Sequence, residues 1–399
     1  MNTTKPEMLG FSSQRLARIN TVMQRYVDEG KLAGIVTLVA RRNQVVHFEK
    51  CGMAAIETGQ RMEFNTLFRI YSMTKPITSA AVLMLLEEGQ LRLNDPIARY
   101  IPAFNNVKVL DNSPESGGRL VEPLRPINIR DLLTHTAGLS YGFEDNVYID
   151  ELYRNLWGQL DANPAFTLQD WIETLAKLPL AYQPGTRYRY SMATDVLGYL
   201  VEVVAGIPFA QFLKQRIFDP LQMPDISFYV PEDKIDRFAA TYGPGEQGGL
   251  QVSDAPRTSH YTNPNKRASG GGGLVSTTGD YLRFAQMLLN QGELDGVRLL
   301  GRKTIELMAS NCLPPGVYLD NDPSSGVGFG LGVSVLLDLG KSNELGSSGN
   351  YGWGGAANTN FWIDRKEELL GILMLQFMPS ETYPVRADFR NLVYQALVD

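Results

Sequence analysis

The chain has very few residues of the kinds that bind metals or form disulfides. It contains two cysteines and three histidines among 399 residues. Cys51 and Cys312 could form at most one disulfide, and neither belongs to a Cys-x-x-Cys pair. A His-Glu-x-x-His sequence and a phosphate-binding Gly-x-x-x-x-Gly-Lys loop are also absent. These absences disfavour a metallohydrolase and a P-loop enzyme, and we expect neither a metal nor a cofactor.

A strong charge of either sign and long apolar runs are absent as well. The net charge of −6 and the pI near 5.3 argue against a nucleic acid or an anionic membrane as the main partner. No run approaches the roughly 18 apolar residues that a membrane-spanning helix needs. Residues 1–14 are polar, unlike a signal peptide. We therefore expect a soluble, cytoplasmic protein, whereas composition leaves the oligomeric state open.

Apolar patterning places the predicted strands at the two ends of the chain. Residues 14–29 repeat apolar side chains at helical spacing, and two apolar runs follow, separated by a polar turn. We therefore predict an α/β (α+β) fold in which both chain ends form one antiparallel sheet flanked by helices. The predicted strands are residues 34–40, 45–51, 329–337, 358–363 and 369–377, and a last helix covers 385–398.

The middle of the chain is predicted to form a mainly helical insertion. Helical patterns there alternate with stretches rich in proline, glycine and asparagine. We assign residues 1–80 and 265–399 to one discontinuous α/β domain and residues 81–264 to an inserted helical domain. Segments 107–128 and 241–273 have few apolar residues, so we expect them to lack regular structure.

One short motif carries most of the chemical information. Ser72-Met73-Thr74-Lys75 opens an apolar helical segment, residues 76–88. A serine and a lysine three residues apart lie on one face of a helical turn, near the partial positive charge of its N-terminus. A desolvated lysine without its proton can serve as the base that a serine nucleophile needs. The same residues also fit an N-cap serine followed by a surface lysine, so the motif alone leaves both interpretations open.

Two further segments contain candidate groups. Tyr190 stands in Tyr-Arg-Tyr-Ser-Met, residues 188–192, just before a predicted helix, where a tyrosine more often packs in the core. Gly-Trp-Gly-Gly-Ala, residues 352–356, precedes the penultimate predicted strand. Glycines at a strand edge let a ligand or another backbone approach closely. A backbone N–H group of this segment and that of Ser72 could together form an oxyanion hole.

These motifs, in this order, resemble those of the serine β-lactamase and penicillin-binding-protein superfamily. Asp-Leu-Leu-Thr-His-Thr-Ala-Gly-Leu, residues 131–139, is similar to a segment of its class C-like members. The resemblance covers residues 14–395 and implies a β-lactamase/transpeptidase-like fold with the active site between the two domains. It also implies that Ser72 is the acylated nucleophile and that Lys75 is its base or proton relay.

The resemblance assigns the remaining motif positions too. Tyr190 corresponds to the tyrosine of the superfamily's Tyr-x-Asn motif and would be the second base. Trp353, Gly354 and Gly355 take the place of the Lys-Thr-Gly strand. The N–H groups of Ala356 and of the nucleophile would bind the oxyanion. For His135, within residues 131–139, the resemblance implies a structural turn.

Two departures from these motifs indicate the substrate. Met192 stands where the asparagine is expected, and Trp353 stands where the strand lysine is expected. Their loss removes a hydrogen bond and a positive charge that would recognise an anionic β-lactam. The chain thus resembles the family VIII carboxylesterases, which implies hydrolysis of short-chain esters. A β-lactamase, a D-amino-acid peptidase or an acyltransferase is the enzymatic alternative, and a catalytically silent interaction module is the non-enzymatic one.

Overall fold

The computed structural model describes residues 3–111, 118–144, 147–163, 166–246 and 248–399. Within these ranges, strands and helices alternate at both chain ends, whereas helices and short hairpins form most of the middle. A short π-helix, Lys214–Phe218, continues α8. The α-helices are α1 (Ser13–Leu16), α2 (Arg18–Asp28), α3 (Thr74–Glu87), α4 (Ile129–Leu133), α5 (Tyr148–Ala162), α6 (Leu168–Leu175), α7 (Ala193–Ala205), α8 (Phe209–Leu213), α9 (Thr278–Leu289), α10 (Arg302–Met308), α11 (Leu339–Ser342) and α12 (Val385–Tyr394).

The strands of the described residues fall into one large sheet and several two-stranded pairs. They are β1 (Gly34–Arg41), β2 (Gln44–Ala55), β3 (Gln60–Arg61), β4 (Phe68–Arg69), β5 (Val109–Leu110), β6 (Leu120–Val121), β7 (Thr241–Pro244), β8 (Leu250–Asp254), β9 (Val275–Ser276), β10 (Glu293–Leu294), β11 (Val297–Arg298), β12 (Val327–Phe329), β13 (Ser334–Leu336), β14 (Tyr351–Gly354), β15 (Asn360–Asp364) and β16 (Leu369–Leu375).

The large sheet is antiparallel and joins the two ends of the chain. Its strand order is β12, β13, β14, β15, β16, β1, β2, β3. The junction lies between β16 and β1, where Ile35 pairs with Leu375 and Arg41 with Leu369. Both strands of this junction are buried along their whole length, which explains their continuous apolar runs. The predicted antiparallel sheet, built from both ends and flanked by helices, is therefore confirmed.

The central strands separate two apolar layers. In β1, Val36 and Leu38 face the larger core, whereas Ile35 and Val39 face a second layer that includes side chains of α2 and α12. This alternation follows from the two-residue period of a strand. The larger core contains side chains of α3 and α9, so the sheet has helices on both faces.

Helix α3 runs through the middle of the larger core. Every residue from Thr74 to Leu85 is buried, as expected for a helix that is apolar on all sides. Helix α7 packs against α3, so the segments that precede these two helices lie close together. The division of the chain at residues 80 and 265 stays a prediction.

Three of the sequence-based element assignments are wrong. Residues 329–337 were predicted as one strand, but they contain the end of β12, a turn and β13. The turn contains Gly332, whose φ of 87° is not that of a strand. Glycine is needed there because a Cβ would overlap the Ser79 side chain. Segments 107–128 and 241–273, predicted to lack regular structure, contain the pairs β5–β6 and β7–β8. Strands of two to five residues are too short to show a clear apolar period, so patterning does not reveal them.

No single helix of the described residues is long and apolar enough to cross a membrane. One pair, Ala193–Ala205 with Phe209–Phe218, satisfies the criteria of length and composition together, but its two parts are bent by 81°. Residues 193–201 of this pair are buried in the larger core, where they contact α3.

Candidate active site

Ser72 lies between β4 and the central helix α3. It occupies a one-turn 3₁₀ helix, Tyr71–Met73, rather than α3 itself, which begins at Thr74. Tyr71 adopts a positive φ of 42°, a strained conformation for a residue with a Cβ. The backbone N–H group of Ser72 has no backbone acceptor among the described residues. A strained turn thus presents both the hydroxyl and the N–H group of this serine.

Two side chains donate hydrogen bonds to the Ser72 hydroxyl. The Tyr190 hydroxyl donates to Ser72 Oγ at 2.6 Å, and Lys75 Nζ donates to the same atom at 3.2 Å. The second contact follows from the three-residue spacing, which stacks the two side chains on one face of the turn. The structure therefore brings Ser72, Lys75 and Tyr190 together around one oxygen atom.

Lys75 is fully buried and contacts neutral groups. Its Nζ donates to the Gly271 carbonyl oxygen at 2.7 Å and to the Tyr141 hydroxyl at 3.1 Å. The ring centroids of Tyr190 and Tyr141 lie 4.5 and 5.2 Å from Nζ, within the range of cation–π attraction. Within the described part of the chain, no carboxylate lies at ion-pair distance from this amine.

Asp195, which the sequence analysis did not single out, fixes the peptide that holds Lys75. It is 1% exposed, and its Oδ1 accepts hydrogen bonds from the Gly271 N–H group at 2.9 Å and the Ser269 hydroxyl at 2.6 Å. Burial raises the pKa of Asp195. The available sequence signal was a carboxylate in the first turn of a mostly apolar helix, α7. Asp195 thus acts on Lys75 through the backbone of Gly271.

Tyr141 was also missed from the sequence. Burial, followed by the charge of Asp195, raises the pKa of Tyr141 well above its ordinary value. The phenol is therefore neutral at pH 7 and accepts a hydrogen bond from Lys75. Its ring is stacked between those of Phe143, at 4.9 Å, and Trp157, at 6.2 Å. The stack fixes the ring that covers Lys75.

The two tyrosines of residues 188–192 have different surroundings. Tyr190 reaches Ser72, whereas Tyr188 is 2% exposed and packs against Phe329 with a centroid distance of 5.5 Å. Met192 is fully buried in the larger core. The position of the superfamily's asparagine therefore contributes an apolar core residue here and no hydrogen-bonding group.

His135 packs against the segment that carries Tyr190. The Ser191 N–H group donates to its Nδ1 at 3.3 Å, and its ring lies 4.8 Å from that of Tyr190. Burial, followed by the charge of Lys75, holds the pKa of His135 well below its ordinary value, so the imidazole is neutral. His135 does not hydrogen-bond to Ser72, and its φ of 55° places it in a turn.

A second serine motif is not arranged for nucleophilic attack. Residues 138–142 read Gly-Leu-Ser-Tyr-Gly, the Gly-x-Ser-x-Gly pattern of another hydrolase class, which the sequence analysis overlooked. Ser140 is 1% exposed and its hydroxyl donates to Asp150. It also accepts a hydrogen bond from Arg189 at 3.1 Å. The segment is not a strand-to-helix elbow, so Ser140 is a buried member of an ion-pair network.

Strand β14 brings the Trp353 segment to the same site. The Trp353 ring lies 5.7 Å from that of Tyr190 and 5.1 Å from that of Phe329. A Cβ on Gly355 would overlap the carbonyl oxygen of Ile70, so only glycine allows this approach to the turn that carries Ser72. The strand therefore presents an aromatic face where the superfamily has a lysine.

Ala356 follows directly in a turn beyond β14. It is exposed, and its N–H group has no acceptor among the described residues. Gly354, two residues earlier, packs against the Arg386 guanidinium. That guanidinium donates hydrogen bonds to the carbonyl oxygens of Gly355 and Thr359. The candidate oxyanion donors, the N–H groups of Ser72 and Ala356, are thus both available for an additional acceptor.

A polar cavity of about 340 Å³ adjoins Tyr190. Tyr141, Phe143 and Tyr182 provide aromatic walls. Arg189 also lines it, but both oxygens of Asp150 accept hydrogen bonds from this guanidinium at 2.7 Å. Within the described ranges, no group of three or more His, Cys, Asp or Glu side chains could hold a metal ion. Tyr190 lines this cavity and also contacts Ser72, which itself is not among the lining residues.

Known proteins share this fold and sequence pattern. The sequence profile of the family described as Beta-lactamase matches residues 19–395. An uncharacterized protein of Mycobacterium tuberculosis (strain CDC 1551 / Oshkosh) is 40% identical over 361 residues, 88% of each chain. Esterase EstB of Burkholderia gladioli is 30% identical over 401 residues, 95% of each chain. The solved structure of EstCE1, described as a hydrolase with promiscuous acyltransferase activity, has a TM-score of 0.82 and 28% identity, covering 96% of this chain and 99% of that chain.

Proposed function

The chain belongs to the beta-lactamase family, and on that premise we propose that it is a serine hydrolase of short-chain carboxylic esters. One observation carries the proposal: Ser72 Oγ lies 2.6 Å from the Tyr190 hydroxyl and 3.2 Å from Lys75 Nζ. A serine needs a base within hydrogen-bond reach to attack an ester, and this serine has two candidates. Esterase EstB, at 30% identity, supports the same class of reaction.

In the proposed acylation step, the Lys75–Tyr190 pair begins with one proton missing. The Ser72 proton passes to this pair while Oγ forms a bond to the ester carbonyl carbon. The carbonyl oxygen becomes an oxyanion that the N–H groups of Ser72 and Ala356 stabilise. Collapse of this intermediate breaks the bond to the alcohol oxygen, which takes the proton from Tyr190. The products are the free alcohol and an acyl group on Ser72.

Deacylation repeats these steps with water in place of serine. Water gives a proton to the Lys75–Tyr190 pair as its oxygen attacks the acyl carbon. Collapse breaks the bond to Ser72 Oγ, which recovers its proton, and the carboxylic acid leaves. Because the leaving alcohol takes its proton from Tyr190, it is expected to lie in the polar cavity beside that residue.

The preference for neutral esters rests on Trp353 and Met192. Trp353 offers an aromatic face at the strand, and Met192 is buried away from the site. Neither can pair with a substrate carboxylate, so β-lactam binding loses the polar contacts that discriminate most strongly between substrates. Hydrolysis of p-nitrophenyl acetate is expected to exceed that of a cephalosporin in kcat/KM by about a hundredfold or more. Comparable efficiencies on both substrates would identify a β-lactamase instead.

Acyl transfer is a second candidate function. The cavity beside Tyr190 can hold an alcohol at the position from which the leaving group departs, so an acceptor alcohol can replace water. The description of EstCE1 as a hydrolase with promiscuous acyltransferase activity supports this alternative. A transferase would form a new ester when acyl donor and acceptor alcohol are supplied together, and product analysis separates the two activities.

A fluorophosphonate labelling experiment tests the proposed function. Intact mass is expected to show one adduct, mapped by peptide analysis to Ser72, and Ser72→Ala should abolish it. The matched control is Ser140→Ala, which removes the serine of the Gly-x-Ser-x-Gly pattern and should leave the adduct on Ser72. A chain that forms no adduct would be a silent interaction module, and an adduct on Ser140 would move the nucleophile there.

A further inference from the structure

A second cavity lies apart from the catalytic residues. It has a volume of about 500 Å³, within the range of small-molecule pockets. Ser72, Lys75, Tyr190 and Trp353 do not line it. Its wall is mostly apolar and comes from the π-helix after α8, the segment before β9 and the loop between them. The main apolar lining residues are Phe218, Met223, Ile226, Phe228, Val230 and Val275.

The charges of the described lining residues do not cancel. Three lysines and two aspartates line the cavity, which leaves a net charge of +1. Lys214 is paired with Asp219 at 2.6 Å. Lys234 is paired with Asp225 at 2.7 Å. Lys266 is therefore the cation of this wall that has no carboxylate partner within the described ranges.

Lys266 is half-buried and its ammonium group contacts neutral atoms. Nζ donates to the Gly273 carbonyl oxygen at 3.2 Å and lies 4.1 Å from the ring centroid of Tyr261. Burial lowers the pKa of Lys266 to about 7, and the charge of Asp195 opposes this shift only in part. An ammonium group has three donors, so one contact to a carbonyl leaves others for a ligand.

We propose that this cavity binds an amphiphilic monoanion, a fatty-acid carboxylate, with its head group on Lys266 and its chain along the apolar wall. Burial of each CH₂ group contributes about 0.8 kcal/mol. The single unpaired ammonium favours one carboxylate over a dianionic phosphate because Asp219 and Asp225 in the same wall repel additional negative charge. A guanidinium, which would suit a phosphate better, is absent from the described lining.

The cavity is linked to the catalytic lysine by three successive glycine carbonyl groups. Lys75 donates to Gly271, the Tyr261 hydroxyl donates to Gly272 at 3.0 Å, and Lys266 donates to Gly273. The proposed ligand site therefore shares one backbone segment with the catalytic centre but none of its side chains. Binding can consequently be measured on protein whose Ser72 is blocked.

Calorimetric titration with sodium decanoate tests the proposal on protein whose Ser72 has first been phosphonylated, or on Ser72→Ala. We expect binding of one decanoate per chain. Lys266→Met should weaken it about tenfold or more, the equivalent of losing one charge-assisted contact, and Lys266→Arg should largely restore it. The double variant Lys214→Met, Asp219→Asn is the matched control, because it removes a cation of the same wall together with its carboxylate partner, and should change the affinity about twofold or less.

Two further measurements keep the proposal falsifiable. Ala210→Trp narrows the cavity without changing Lys266 and should also weaken decanoate binding. This variant tests the proposal independently if Lys266→Met fails to fold. Decanol, which lacks the charge, should bind the unaltered chain more weakly than decanoate does. The Lys266→Met variant should bind decanol and decanoate with equal affinity. Absence of saturable decanoate binding, or binding that neither Lys266→Met nor Ala210→Trp weakens, would overturn the proposal.

Discussion

Lys75 and Lys266 contact the same glycine segment in two different surroundings. Lys75 donates to the carbonyl of Gly271 and Lys266 to that of Gly273, two residues further along. Each ammonium also lies near an aromatic ring. The difference lies in the remaining partner, which is the Ser72 hydroxyl for Lys75 and an apolar cavity wall for Lys266.

This comparison indicates that the role of such a lysine depends on the group that lies beside its ammonium. Next to a hydroxyl it can move a proton, and next to an apolar wall it can attract an anion. Substitutions at and around the two lysines should therefore differ strongly in their effect on ester hydrolysis. The expected effects are ordered below from the largest to the smallest.

The largest effect is expected from Lys75. Lys75→Arg should lower kcat for p-nitrophenyl acetate by about a thousandfold or more, nearly as much as Lys75→Ala, because a guanidinium stays protonated and cannot take the serine proton. Steady-state kinetics measures the loss, and a thermal melt checks that the variants are folded. An arginine variant that keeps most of the rate would contradict a base role for Lys75.

Tyr190 is expected to come next. Tyr190→Phe removes the hydroxyl that lies 2.6 Å from Ser72 Oγ, so kcat should fall about a hundredfold, the usual weight of acid–base assistance. Tyr188→Phe is the matched control two residues away. Its ring packs against Phe329, and its loss of a hydroxyl should cost far less. If the two variants exchange these effects, the second base is Tyr188.

Asp195→Asn should lower the rate of hydrolysis less than Tyr190→Phe does, and it should raise the stability of the folded chain. The amide can still accept from Gly271 and Ser269, but it lacks the charge near Lys75, so kcat should fall about tenfold with little change in KM. Because burial raises the pKa of Asp195 in the folded state, its ionisation opposes folding and stability is lost as pH rises through that pKa.

Thermal melts over pH test this stability claim. The asparagine variant should melt at a higher temperature than the unaltered chain at pH 7, and the difference should shrink as the pH is lowered and Asp195 becomes protonated. Ser269→Ala, which removes one hydrogen bond to Asp195 without changing charge, is the matched control and should not raise the melting temperature. A variant that is less stable than the unaltered chain at pH 7 would contradict the assignment.

The smallest effect on hydrolysis is expected from Lys266→Met. It removes the donor to the Gly273 carbonyl and loosens the segment that also holds Lys75, so kcat should fall less than about tenfold. The same kinetic assay measures it beside Lys75→Arg. A loss as large as that of Lys75→Arg would place both lysines in the catalytic step and end the distinction between them.

Local spacing explains why part of the site could be predicted. Three residues separate Ser72 from Lys75, and one helical turn brings their side chains together whatever the rest of the fold does. The apolar runs of β1 and β16 likewise indicated strands, which the structure places at the buried centre of the sheet. By contrast, the apolar run 329–337 was misassigned because a turn at Gly332 divides it. Gly332 lies close to Ser79 of α3, a contact with a segment far away along the chain.

The sequence by itself determined the sheet built from both chain ends, the Ser72–Lys75 pair and the order of the motifs, since these depend on periodicity and on spacing along the chain. Only the tertiary structure showed what surrounds the two tyrosines: the Tyr190 hydroxyl reaches Ser72, whereas the Tyr188 ring packs against Phe329. It also decided the contribution of Asp195, which acts through Gly271, 76 residues away. Contacts over such separations arise from the packing of α7 beside α3, which no local pattern encodes.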